Sequence, residues 1–274
     1  NRNGLALVRN LQGRGQEAID LCREGYERLQ AELGTDKHRL HRSVLIYNMA
    51  QVYAALGAHD QALAHYSAAM EMDPYYSEYY NERGNLLLAL GKMQDAYIDY
   101  RTAIAFSPPY PEVHTNLGQC CRLLKRFDEA VEAYTTALDL KPDVLLAYVG
   151  RAEAYDELGR TEEALADYDV ALRLQPEAPD LLANRAVLRF QVGRWQESLR
   201  DLSQAIELAP EMPELYENRA FLLSEFGRPQ EAVEDLRLLS SLPLPQEHRT
   251  TVEAKIRLLE EALGDRAQAP SSSP

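Results

Sequence analysis

Residues 145–176 read LLAYVGRAEAYDELGRTEEALADYDVALRLQP, and this stretch decides the fold. Ala152 is small where a second helix must approach closely, and Gly159 supplies the left-handed residue that ends a first helix. Ala164, Tyr168 and Ala171 then recur at helical spacing, and Pro176 stops the second helix. The stretch is a helical hairpin.

The same marks recur every 34 residues. The prolines are Pro74, Pro108, Pro142, Pro176 and Pro210. In register with them run Ala62, Ala96, Ala130, Ala164, Ser198 and Ala232, then Tyr66, Tyr100, Tyr134, Tyr168, Leu202 and Leu236, then Ala69, Ala103, Ala137, Ala171, Ala205 and Leu239. Small residues hold the eighth place of each unit (Ala50, Gly84, Gly118, Ala152, Ala186, Ala220). Gly57, Gly91, Gly159, Gly193 and Gly227 hold the fifteenth, with Lys125 the exception. Six units start at Ser43, Ser77, Pro111, Leu145, Pro179 and Pro213. A fixed period of this kind is the signature of a repeat array in which each unit packs on its neighbours.

The pattern resembles the tetratricopeptide repeat (TPR) family, with small residues at places 8, 20 and 27, an aromatic at 24 and proline at 32. The resemblance covers residues 43–245. A degenerate unit precedes it over residues 1–42, with Ala6, Gly13, Ala18 and Cys22 at places 8, 15, 20 and 24. Ala18 to Ala62 is 44 residues, so ten extra residues lengthen that hairpin, as an extended second helix plus the turn Gly34-Thr35-Asp36. After Pro245, Val252, Ile256, Leu259 and Leu263 form an apolar stripe over 246–264, a capping helix of the sort an array needs for solubility. Residues 265–274 read as a flexible tail. The expected fold is all-α: a right-handed TPR superhelical solenoid of about seven hairpins, continuous along the chain, with a C-terminal capping helix.

Composition narrows the function. The chain has 274 residues, 46% of them hydrophobic and 26% charged, enough for a sizeable core. No stretch approaches the roughly 18 apolar residues of a membrane helix, and the first residues begin no secretory signal. The chain starts without Met, which leaves open that it is part of something longer. Lys+Arg number 29 against 43 Asp+Glu, a formal charge of −14 that repels nucleic acid and anionic membranes. Cys22, Cys120 and Cys121 give no disulfide framework, which fits a reducing, cytoplasmic setting. His38, His41, His59, His65, His114 and His248 make no metal pattern with them. No phosphate loop or nucleophile elbow is present, so neither an enzyme nor a cofactor is expected.

Comparison between repeats separates structural residues from binding residues. Arg83, Arg151, Arg185 and Arg219 hold place 7 in the four units that carry Asp99, Asp167, Asp201 and Asp235 at place 23. The two units without that Arg have His65 and Ala133 there, so we read the four as ion pairs within hairpins. Tyr66, Tyr100, Tyr134 and Tyr168 read as core, and Trp195 as packing between repeats. The cluster Tyr75, Tyr76, Tyr79 and Tyr80 offers a secondary contact surface.

The resemblance implies that first helices line a concave face through places 2, 5, 6, 9, 12 and 13. Asn48, Asn116, Asn184 and Asn218 hold place 6, with Asn81, Glu82 and Asn85 nearby in the second unit. A row of amides can match the alternating N–H and C=O groups of an extended peptide. Gln51 and Gln119 lie on the same face, and Tyr47 and Phe190 could anchor a side chain there. Carboxylates dominate it: Glu78, Glu82, Glu112, Glu153, Asp156, Glu157, Asp180, Glu214, Glu217 and Glu225, with Arg122 the lone cation. Such a wall favours a basic ligand. The family's carboxylate clamp for the acidic tails of Hsp70 and Hsp90 needs cations where this chain has Tyr47, Glu112 and Asn116, so those tails are disfavoured. The expected function is a scaffold holding an extended or basic segment of a partner protein. Two other readings stay open: a docking segment of a larger enzyme or signalling protein, and a self-assembly module forming a homo-oligomer.

Overall fold

A computed structural model of the chain describes residue 6 and residues 9–33, 39–106 and 110–268. Pro108, His38 and the turn Gly34-Thr35-Asp36 lie outside the described residues, as do residues 269–274. Every regular element among the described residues is helical. Residues 6 and 9–11 are helical and are followed by α1 (Gly15–Leu33). Next come α2 (Arg39–Ala55), α3 (His59–Met72), α4 (Ser77–Ala89), α5 (Met93–Phe106), α6 (Pro111–Leu123) and α7 (Phe127–Leu140). These are followed by α8 (Leu145–Glu157), α9 (Thr161–Leu174), α10 (Pro179–Gln191) and α11 (Trp195–Leu208). Finally come α12 (Pro213–Glu225), α13 (Pro229–Ser241) and α14 (Gln246–Gln268). The helix α1 has 19 residues where α3 has 14. Residues 265–268, expected in the tail, are the last turn of α14.

The chain divides into two compact units, residues 1–154 and 155–274, with the boundary inside α8. In the first unit α2 packs on α3, α4 on α5 and α6 on α7, while α3 meets α4 and α5 meets α6. In the second, α10 packs on α11, α12 on α13, and α14 on α13. This alternation of partners within and between hairpins is that of a repeat solenoid.

The turns explain the punctuation read from sequence. Gly159 has φ +70°, and the Gly159 and Arg160 amides donate to the carbonyls of Asp156 and Tyr155 at 2.8 Å, closing the first helix. Lys125 adopts the same conformation (φ 59°) with the same pair of bonds, to Arg122 and Cys121. The turn geometry therefore prevails over the side chain. Tyr66, Tyr100, Tyr134 and Tyr168 are all buried, as are the alanines at places 20 and 27. The ring of Tyr134 lies where a Cβ on Gly118 or Gly150 would have to be, so the small residues at those positions are a packing requirement.

A tyrosine at place 4 adds a second fastening. The hydroxyls of Tyr80, Tyr148 and Tyr216 each donate to the carbonyl of the proline six residues earlier (Pro74, Pro142, Pro210; 3.0, 3.2 and 3.1 Å). His114 occupies that place in the hairpin of α6 and α7; it is 8% exposed and its Nε2 has no hydrogen-bond partner.

Candidate functional site

The arginines of place 7 are structural, and they bridge more than one hairpin. Arg83 donates through Nε and Nη2 to both oxygens of Asp99 at 2.7 Å, Arg185 to those of Asp201 at 2.9 and 2.7 Å, and Arg219 to those of Asp235 at 2.8 and 2.6 Å. The remaining Nη1 reaches the preceding hairpin: Ser67 from Arg83, Thr135 from Arg151, Asp169 from Arg185, Ser203 from Arg219. The guanidiniums of Arg83, Arg185 and Arg219 thus hold residue i+16 of their own hairpin and residue i−16 of the one before. Arg189 also donates to Asp201 (2.7 Å), so that buried carboxylate serves two guanidiniums.

On the first-helix face of the first unit, the residues singled out from sequence come together in one polar and aromatic cluster. Tyr47 packs between Tyr66 and Tyr79 (centroids 6.0 and 4.9 Å), and its hydroxyl accepts from Gln51 Nε2 at 2.8 Å. Asn116 Nδ2 donates to Asn81 Oδ1 (3.1 Å) and Asn85 Oδ1 (3.0 Å), and the Tyr100 hydroxyl donates to Asn85 Oδ1 (2.9 Å). Asn81 and Asn85 in turn donate to Glu82 Oε1 (3.3 and 3.4 Å). Asn81 is only 4% exposed. Asn81, Asn85 and Asn116 bond to one another across α4 and α6 and so fasten these two hairpins. Asn48 is half-buried, and Glu112 and Gln119 are exposed. Arg122 Nε lies 3.2 Å from Glu153 Oε2, so the lone cation is already paired.

The carboxylates carry the electrostatics. Glu78 and Glu82 are half-buried, and burial raises both above the ordinary glutamate range. Repulsion adds to the shift, from Glu112 on Glu78 and from Glu78 on Glu82, while the amides of Asn81 and Asn85 pull Glu82 partly back. The same two carboxylates, after burial, help push the Tyr47 phenol far above its usual range. A cation brought to this face would relieve that repulsion.

The second unit is different in kind. Asp156 is raised by burial and then by Glu157, and Asp180, Asn184, Glu214 and Glu225 are exposed; Asn218 is half-buried. Phe190 meets Phe221 and Phe226 edge-on (5.7 and 6.0 Å), and Phe226 stacks on Trp195 (4.5 Å). Phe221 and Val187, both at place 9, are exposed. Sequence reading took Phe190 and passed over these two, although Gln51, Asn85, Gln119 and Glu153 at the same place made the change from polar to apolar visible.

Burial pushes the thiols of Cys22 and Cys120 up to about 11 and that of Cys121 up to about 12, so none is a thiolate at neutral pH. Among the described residues no group of three or more His, Cys, Asp or Glu could hold a metal ion, and no helix is long and apolar enough to cross a membrane.

Models of tetratricopeptide repeats match residues 1–74, 47–111, 112–179 and 162–213 of the chain. The chain belongs to the TPR family. Solved structures share its fold at low identity. PilW, a type IV pilus biogenesis factor, is 20% identical with a TM-score of 0.65, covering 77% of this chain and 98% of its own. YrrB, described as a TPR protein with an unusual peptide-binding site, is 19% identical with a TM-score of 0.61, covering 74% and 97%. A TPR protein of Parabacteroides merdae is 17% identical with a TM-score of 0.63, covering 94% and 97%. No curated protein matches the chain.

Proposed function

We propose that this TPR protein is a non-catalytic scaffold whose first-helix faces hold a basic segment of a partner protein. The observation that carries the reading is the pair Glu78 and Glu82, half-buried and raised in pKa by burial and by their carboxylate neighbours. A lysine or arginine placed between them gains attraction and removes repulsion at once. The same wall opposes the acidic tails of Hsp70 and Hsp90, nucleic acid and anionic membranes. Free, buried thiols accord with a cytoplasmic setting. That YrrB, a relative in fold, has a peptide-binding site supports the class of ligand. The acidic face is the contact surface in preference to the amides of Asn81, Asn85 and Asn116, which bond among themselves.

The test is anisotropy of a labelled lysine-rich peptide titrated with the protein at low and high salt. Binding should weaken as salt rises and should fall on Glu78→Gln with Glu82→Gln. Equal binding of a glutamate-rich peptide, or no effect of the two substitutions together with no effect of salt, would sink it.

A further inference from the structure

We infer that the second unit takes its ligand as a helix rather than as an extended chain, in an apolar cleft between α12 and α14. This deepens the scaffold reading above and rests on it. The cleft holds about 260 Å³ and is lined by Phe221, Ala220, Leu236, Leu258 and Leu259, with Glu217, Ser224 and Lys255 as its polar groups. Phe221 is 54% exposed and Leu258 65% exposed, so two large apolar side chains of different helices face solvent across it.

Two observations say what covers them. The first is the supply of hydrogen-bonding groups. An extended segment carries an N–H and a C=O at every residue, and burying them without partners costs roughly 1–3 kcal/mol each. This lining comes from the helices α12, α13 and α14, whose main chains are already bonded internally, and it has three polar side chains. A helix satisfies its own main chain and brings only its apolar stripe.

The second observation is α14 itself, which shows what the neighbouring surface of α12 accepts. Its Val252, Ile256 and Leu259, spaced i, i+4 and i+7, pack into the core of the last hairpin. Beside that stripe, His248 Nε2 lies 2.8 Å and Lys255 Nζ 3.9 Å from Glu217 Oε1. At Glu217 and in the core of the last hairpin, α12 thus already meets a helix with apolar residues on one face and cationic side chains at the edge. On α12, places 2, 5 and 13 are Glu214, Glu217 and Glu225, and the arginines of the first helices are taken up by Asp201 and Asp235, so a second occupant of like chemistry is favoured. It is a basic amphipathic helix with leucine or phenylalanine at i, i+3 or i+4, lying beside α14 over Phe221 and Leu258.

The probe is a synthetic peptide of lysines and leucines, about five helical turns long, with the leucines on one face. Its companions are the same peptide broken by two prolines and the same peptide with glutamate for lysine. Anisotropy is read with the full chain, and emission of Trp195, the single tryptophan, reports the second unit through Phe226, Phe190 and Phe221. The intact basic peptide should bind and shift that emission. Phe221→Ala with Leu258→Ala should weaken it by about tenfold or more, as loss of apolar anchors does. Both side chains are exposed, so circular dichroism should show the fold unchanged, and Phe106→Ala in the first unit should leave binding intact.

Equal binding by the double variant, or by the proline-broken or glutamate peptide, overturns the helical cleft. If basic peptides still bind and only Glu78→Gln with Glu82→Gln reduces it, the cleft falls and the scaffold reading stands. If no basic peptide binds at any salt concentration, the scaffold reading falls with it.

Discussion

Arg219 and Asp235 set the energetic stakes of a single residue in this array. The aspartate side chain is 5% exposed and accepts two bonds from one guanidinium, so removing the arginine leaves a buried charge without its partner. Arg219→Leu alone should cost about 3–5 kcal/mol, whereas Arg219→Leu with Asp235→Leu should recover most of it, because the uncompensated charge is gone. Urea midpoints of the two variants check this. The pairing with Asp235 was legible from the joint presence of Arg and Asp across repeats. The third bond, back to Ser203, was not sought, though it too left a trace. Where place 7 is Leu117, the residue 16 positions earlier is Arg101, which could accept nothing from an arginine.

His114 gives the acid response its sign. Burial holds its pKa below the ordinary 6.5, so below that pH the unfolded chain binds the proton more readily than the folded one. Its contribution is complete above pH 6.5 and is lost as pH falls toward its depressed folded value. Glu78 and Glu82 act oppositely: their raised values mean that stability is gained as pH falls from those values toward 4.5. The melting temperature of wild type should therefore drop from pH 7 to pH 6 more than that of His114→Leu. An identical drop in both would show that the histidine is not the cause.

At the scale of the element, the hairpin is governed by its turn and by the approach of its two helices. Lys125 holds φ 59°, a region that costs an L-residue about 1–2 kcal/mol. Lys125→Gly should raise stability by about 0.5–1 kcal/mol, the rest being offset by the freedom glycine gains when unfolded. Gly150→Ala should do the reverse. Helix propensity favours the alanine by about 1 kcal/mol, but its Cβ would fall on the Tyr134 ring, and overpacking costs about 1–3 kcal/mol. Thermal melts of the two single variants, and of Gly150→Ala with Tyr134→Leu, in which the clash is gone, decide between propensity and packing.

Hairpin boundaries were legible because Gly, Pro and small residues answer to local geometry that each repeat states afresh. The face that meets a ligand was less so. A side chain's place in the period says which way it points, yet not whether a neighbour 31 or 35 residues away has taken its bonds, as Asn116 does from Asn85 and Asn81. Exposed apolar residues such as Leu258 belong to the final helix, which lies outside the period and so carries no position to compare.

For the whole molecule, the formal charge of −14 spread over an array coupled between neighbours makes stability depend on salt joint by joint. Between α9 and α10 the place-7 clasp is an ion pair, Arg185 to Asp169 at 2.7 Å, while Arg83 and Arg219 reach back to the hydroxyls of Ser67 and Ser203. Between α4–α5 and α6–α7 the link is the uncharged amide set of Asn81, Asn85 and Asn116. Hydrogen exchange at rising salt should show protection at the ionic joint between α9 and α10 declining while the amide joint holds. The array is then a chain with two kinds of clasp, and the ionic strength around it chooses which one opens first.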